Sequence, residues 1–242
     1  MGLNLIQPDW PAPKQVQAFM TTRQGGCSSA PFDTLNLGLH VEDNEQSVLQ
    51  NRASLQQHLP SAPMWLNQIH GIDVVGAGEY VGVCDADASY AKEPNQVCVV
   101  MTADCLPVLF CDEQGTQVAA AHAGWRGLVD GVLEATVAKF DAPQQVMAWL
   151  GPAIGSDAFE VGPEVKQQFC VQHPQAESFF KPSKNTGKWL ADLYGLAKMR
   201  LKQVGVENVY GGDFCTYSDA ERFFSYRRDG QTGRMGAFIW LA

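Results

Sequence analysis

Three side chains able to hold a metal stand at the edges of apolar runs: His70 in NQIHG, Cys105 in TADCLP and His122 in AAAHAGWRG. Their separations match no zinc finger. Each lies at the expected end of a strand, however, where neighbouring strands can bring their ends together. Two imidazoles and a thiolate form a legitimate catalytic zinc set, with the fourth position left for water or substrate. The same residues also allow metal-free chemistry, with Cys105 as nucleophile and His122 or His70 as base, because a histidine partner lowers a thiol's pKa and makes thiolate available. The second histidine separates these readings: a dyad needs one imidazole, a zinc site uses both. A structural metal is a third alternative, weakened because such sites usually take four protein ligands and only three are found.

Candidate cations for an anionic ligand such as phosphate are Arg23 in RQGG, Arg126 in AGWRG and Arg227 in FFSYRRDGQTGR. The first two adjoin glycine-rich turns whose amides could join the cradle, although neither matches a P-loop or dinucleotide fingerprint. FFSYRRDGQTGR mixes aromatics with Arg227, Arg228 and Arg234, as an anion or ring clamp would, and is also compatible with a strand followed by a solvated turn. TADCLPVLF, 102–110, reads as one apolar strand, so Asp104 points to the face opposite Cys105, toward a hydrogen-bonding partner. His40 follows the NLG turn and carries no assigned role.

The elements that must position these residues are mostly short. MWLNQIH, IDVVGAG, QVCVVMT, CLPVLFCD and TQVAAAHAG read as strands separated by loops. The stretch 116–140 predicts a strand ending at His122, a Gly-Trp-Arg-Gly turn, and a helix with Leu128, Val132, Leu133, Val137 and Phe140 on one face. His122 therefore falls at a strand's carboxyl end before a helix, where α/β proteins tend to place chemistry. Further helices are predicted over 45–59, stopped by Pro60, in PEVKQQFCVQ, opened by its proline, and in LADLYGLAKMRLKQVGV, with Leu190, Leu193, Leu196, Ala197, Leu201 and Val204 inward. QVMAWL, NVYGGDFCTY and GAFIWLA complete the strands. Their irregular interleaving excludes a TIM barrel or simple Rossmann order. The fold class expected is α+β, a single domain over 1–242 with mixed β-sheets flanked by helices.

The bulk composition narrows the partners. A chain of 242 residues with 45% hydrophobic residues can bury a substantial core. With 17 Lys and Arg against 26 Asp and Glu, the net charge is −9. Its basic residues are scattered apart from Arg227 and Arg228, which argues against nucleic acid and acidic membranes as partners. The first residues carry no signal-peptide pattern, and no apolar run approaches about 18 residues, so a soluble, cytoplasmic protein is expected. Seven cysteines include no C-x-x-C knuckle. In a reducing compartment most serve as small core hydrophobes, an account that suits Cys98 and Cys111 better than Cys105.

Taken together, QIHG, TADCLPVLF, AAAHAGWRG, GPAIG with FEVG, and CTY with FFSYRRDGQTGR resemble the YfiH-type family, also called the multicopper polyphenol oxidase or laccase-domain family. The resemblance runs from TTRQGG to FIWLA, nearly the whole chain. It implies a zinc ion on His70, Cys105 and His122, and phosphorolysis of adenosine, inosine, guanosine or methylthioadenosine to base and ribose 1-phosphate. Adenosine deaminase activity is implied as a second reaction, for which Asp104 or an unrecognised carboxylate would be the acid or base. The implied fold is similar to the catalytic domain of cytotoxic necrotizing factor toxins, which use a Cys-His pair. A further family-level possibility is a Cys-His or zinc amidohydrolase editing peptidoglycan precursors. Copper oxidation of polyphenols fits less well, since several coppers need many imidazoles and this chain has five histidines. The partners implied are a purine nucleoside and phosphate, with no nucleic acid, membrane or protein partner identified.

Overall fold

A strand that is apolar at every position needs cover on both faces. LPVLFCD (Leu106–Asp112) and VAAAHA (Val118–Ala123) are buried along their whole length. The computed structural model, which describes residues 2–79 and 82–242, shows what covers them. Both belong to a six-stranded mixed sheet in the order Asn208–Gly211, Val146–Leu150, Leu106–Asp112, Val118–Ala123, Ala88–Ala91 and Val74–Gly76. The two outermost pairings are parallel and the inner ones antiparallel. A four-stranded antiparallel sheet, ordered Leu5–Ile6, Val16–Thr21, Met235–Leu241 and Cys98–Thr102, stacks on one face of the first.

The period-two alternation of a strand divides the core. Leu109 and Cys111 point between the sheets, into a cluster with Met20, Val100, Ile239 and Trp149. Their neighbours Val108 and Phe110 point the other way, against Leu128, Leu133, Phe169 and Leu196 from the helices Trp125–Asp130, Val132–Val137, Pro163–Gln172 and Leu193–Gln203. The outer face of the four-stranded sheet is closed by Leu35, Leu37, Leu55 and Leu59 on Phe19 and Phe238, with Leu55 ending the helix Glu45–Leu55. Each such large side chain contributes roughly 1.5–3 kcal/mol by leaving water. The order is therefore helix, sheet, sheet, helix, a mixed α+β architecture as the residue pattern predicts. No helix among the described residues is long and apolar enough to cross a membrane.

Several local expectations need correction. TADCLPVLF is not one strand. The chain leaves the four-stranded sheet after Thr102, crosses through Ala103, Asp104 and Cys105, and enters the six-stranded sheet at Leu106. Asp104 sits at φ +94, a left-handed conformation that ends a strand, and so does not simply alternate with Cys105. Both flanking segments are buried, which is why hydrophobicity runs through the break unmarked. The helix after His122 begins at Trp125, directly after Gly124, and is interrupted at Gly131, which has φ +108. Leu190 and Ala191 belong to the strand Trp189–Ala191, and the helix starts at Leu193 behind Asp192, whose carboxylate accepts from the Gly195 amide. The region 45–59 is helical only to Leu55, followed by a 3-10 turn, Gln56–His58. MWLNQIH and IDVVGAG shrink to Leu66–Asn67 and Val74–Gly76, NVYGGDFCTY to Asn208–Gly211. FFSYRR holds no strand but a short helix, Tyr226–Asp229, capped by Ser225.

Candidate functional site

The crossing between the sheets, the end of Val118–Ala123 and the loop before Val74–Gly76 meet at one side of the sandwich. There they form a cleft of about 430 Å³. His70, Cys105 and His122 face one another in it, with ligand-capable atoms all within 4.8 Å of one another. Cys105 Sγ lies 3.9 Å from His70 Nε2, and the two imidazole rings meet edge to face with centroids 4.8 Å apart. In a tetrahedral zinc site with bonds of about 2.0–2.3 Å, donors stand about 3.5 Å apart, so small side-chain rotations would close the set. Two imidazoles and a thiolate are donors that suit zinc, and this triad fits such an ion.

Each member is held by the local backbone. His122 is paired through strand register with Pro107 and is 3% exposed. Its Nδ1 lies 2.7 Å from Asp87 Oδ1, so Nε2 is the nitrogen left for the cleft. His70 stands in a left-handed turn at φ +61, and its amide, with those of Ile69 and Gly71, donates to the same Asp87 carboxylate. Gly124 makes the close approach possible: a Cβ there would stand 2.7 Å from His70 Cδ2 and 3.2 Å from Cys105 Sγ.

The electrostatics follow from this crowding. Burial pushes the Cys105 thiol up, but the charge and hydrogen bond of His122, joined by His70, outweigh it and bring it down to about 6. Burial pushes His122 down, and the Cys105 thiolate together with Asp87 raises it to about 9. Both shifts run in the direction that favours a thiolate beside an imidazolium when no metal is bound. Asp104, next to Cys105 in the chain, takes no part in the pair. Its carboxylate accepts from Thr216 Oγ1 at 2.6 Å and from the Arg227 amide at 2.7 Å, tying the crossing to the segment that follows the strand Asn208–Gly211. The partner expected for Asp104 is there, although the residue also lines the cleft.

Of the candidate cations, Arg126 and Arg227 line the cleft. Arg126 stacks over Trp125 at 4.5 Å; Arg227 donates to the Glu160 carbonyl and lies over Phe159 at 5.6 Å. Arg23 does not line it. Its guanidinium is consumed by the Asp33 carboxylate and carbonyl and the Ala220 carbonyl, and lies 4.8 Å over Phe224. Arg234 and Tyr226, both from FFSYRRDGQTGR, line the cleft beside Arg227, as do His40 after the NLG turn and Phe159 in FEVG, whereas Asp87 was missed altogether. Asp87 in CDADASYA has one acidic neighbour, Asp85, and no distinguishing spacing.

A mixed α+β sandwich whose two larger sheets meet at a His, Cys, His cleft marks a metal-capable protein. The model of the family described as multi-copper polyphenol oxidoreductase laccase matches residues 17–242, and the chain belongs to that laccase-like YfiH family. It is 54% identical over 237 residues to a purine nucleoside phosphorylase of Pseudomonas aeruginosa, and 56% identical over 241 residues to the purine nucleoside phosphorylase YfiH of Escherichia coli; each alignment covers 98% of both chains. The crystal structure of a Neisseria meningitidis protein of the family DUF152 superposes with a TM-score of 0.94 at 53% identity, covering 98% of this chain and 99% of that one.

Proposed function

We propose that the cleft is the active site of a zinc-dependent purine nucleoside phosphorylase acting on adenosine, inosine, guanosine and methylthioadenosine. The observation that carries this reading is the meeting of His70, Cys105 and His122 with Arg126, Arg227 and Arg234 around one cleft in a chain of net charge −9. The names of relatives more than half identical over nearly their full length support it. Zinc held by the triad would supply a Lewis acid that polarises a substrate oxygen.

The chain's own side chains would do the rest. Arg126, Arg227 and Arg234 would seat phosphate, for which planar guanidinium groups are well shaped. Holding phosphate beside the anomeric carbon removes much of the entropic barrier to their reaction. A phosphate oxygen then bonds to that carbon as the glycosidic C–N bond breaks, and the base departs with the bonding electrons and is protonated as it leaves. The purine ring would lie on Tyr226, 62% exposed at the cleft, or on Phe159. Adenosine deaminase activity is proposed as a second reaction. Asp104, bound through both oxygens, is poorly placed as its acid or base, so proton transfer would fall to His40. The reading takes the chain as one catalytic domain over 1–242 working in the cytoplasm, with copper the lesser alternative to zinc.

A second reading has its own support. Cys105 with its thiol pKa lowered chiefly by His122 is the pairing a Cys-His hydrolase needs, in keeping with the implied kinship to toxin catalytic domains, with His70 left over, and would act on amides of cell-wall precursors. Chromatography of products from adenosine, inosine and methylthioadenosine, with and without phosphate, separates the two. Phosphate-dependent release of free base is expected; no turnover of any nucleoside by zinc-loaded protein would move the assignment to the amidohydrolase.

A further inference from the structure

We infer that Asp87, which lies behind the cleft wall and not in the cleft, is the positioning residue that makes His70 and His122 a ligand pair. The inference rests on the metal reading above and concerns how the chain builds that site. Asp87 is fully buried, and a carboxylate is costly to bury unless its oxygens are bonded. Here they are fully engaged. Oδ1 accepts from His122 Nδ1 at 2.7 Å and from the His70 amide at 3.0 Å. Oδ2 accepts from the amides of Gly71 at 2.6 Å and Ile69 at 3.1 Å. The Asp87 carbonyl also takes the His122 backbone N–H at 2.7 Å. One residue thus grips His122 by ring and backbone, and pins three consecutive amides around the left-handed His70 turn.

The consequence for ligation is specific. With Nδ1 donating to Asp87, Nε2 is the nitrogen that faces the cleft, and a metal arriving there takes the place of its proton. An asparagine fills the same volume but cannot serve the same donors. Its single oxygen can accept from Ile69 and Gly71, and its amide then faces His122 Nδ1, which must accept instead. The ring proton moves to Nε2, and the imidazole no longer offers a ligand, the tautomer error seen when a triad aspartate becomes asparagine.

The test compares the full-length wild type with Asp87→Asn in zinc competition against a chromogenic chelator, alongside ¹⁵N spectra of histidine-labelled protein. Zinc affinity is expected to fall about 10–100-fold, and the His122 Nδ1–H resonance, present in the wild type with or without zinc, is expected to vanish. A purely structural role would lower the melting temperature yet leave the zinc affinity of the folded protein unchanged, and that result overturns the inference. If Asp87→Asn does not fold, the wild-type spectrum decides: a bare Nδ1 on His122 overturns the inference, a hydrogen-bonded Nδ1–H supports it. If the wild type itself takes up no zinc, the metal reading fails, and the same resonance still decides whether Asp87 sets the ring.

Discussion

At the scale of single residues, the chemistry-bearing side chains were legible by type, and their surroundings were not. His70, Cys105 and His122 stand out because each is a metal-capable side chain set at the end of an apolar run. Nothing in one sequence says that Arg23 would be spent on Asp33 and Ala220 while Arg234 turns into the cleft. Arg126→Ala is expected to raise the phosphate KM by about 10-fold or more, the worth of a charge-assisted hydrogen bond, without changing zinc content. Arg23→Ala is expected to leave the phosphate KM unchanged and to cost about 1 kcal/mol of stability, since the Asp33 carboxylate and Ala220 carbonyl it leaves are open to water; steady-state kinetics and denaturant melts read the two effects separately. The thiols divide in the same way. Burial pushes Cys98 and Cys111 up to about 12, so neutral-pH alkylation of native protein should spare them and label exposed Cys27. Cys105 should react only after a chelator has removed the metal.

At the scale of elements, the site depends on two irregularities. One is the crossing at Ala103, Asp104 and Cys105, which carries the thiol from one sheet to the other; the other is the tight turn at Gly124, which brings the His122 strand and the Trp125–Asp130 helix against the triad. The Gly124 backbone has φ −62, which any residue adopts, so Gly124→Ala should fold. Its added methyl would meet His70 Cδ2 at 2.7 Å, and zinc affinity should drop at least about 10-fold on the scale of disturbed ligand geometry. Gly131→Ala reverses the pattern: at φ +108 it should cost about 1–2 kcal/mol while zinc binding persists. Calorimetry paired with zinc titration distinguishes these outcomes. Strands and helices with strong periodicity were read correctly in type because burial imposes the period. The sheet-to-sheet crossing was not, since a segment buried on both sides of a break shows no change in hydropathy.

At the scale of the whole molecule, the cleft gathers residues from six stretches far apart in the chain, from His40 through His70, Cys105, His122 and Phe159 to Arg234. Sequence order gives little hint that these segments converge, because their meeting depends on how the two sheets stack. It also ties ligand binding to global stability. A metal that binds only the folded chain at a hundredfold excess over its Kd adds about 2.7 kcal/mol, which for a chain of this length is roughly 5–10 °C in melting temperature. Chelation is expected to lower the melting point by that amount and zinc to restore it; an unchanged melting point would mean that the triad is not closed by an ion.

Nucleoside cleavage at the triad is the proposal on which the rest depends. The most direct test is the yield of ribose 1-phosphate from inosine and phosphate, measured with bound zinc for wild type and Cys105→Ala side by side. The wild type should carry one zinc and form the product only when phosphate is present, and Cys105→Ala should lose both together. Product formation by a folded Cys105→Ala protein at near wild-type rate would contradict the account.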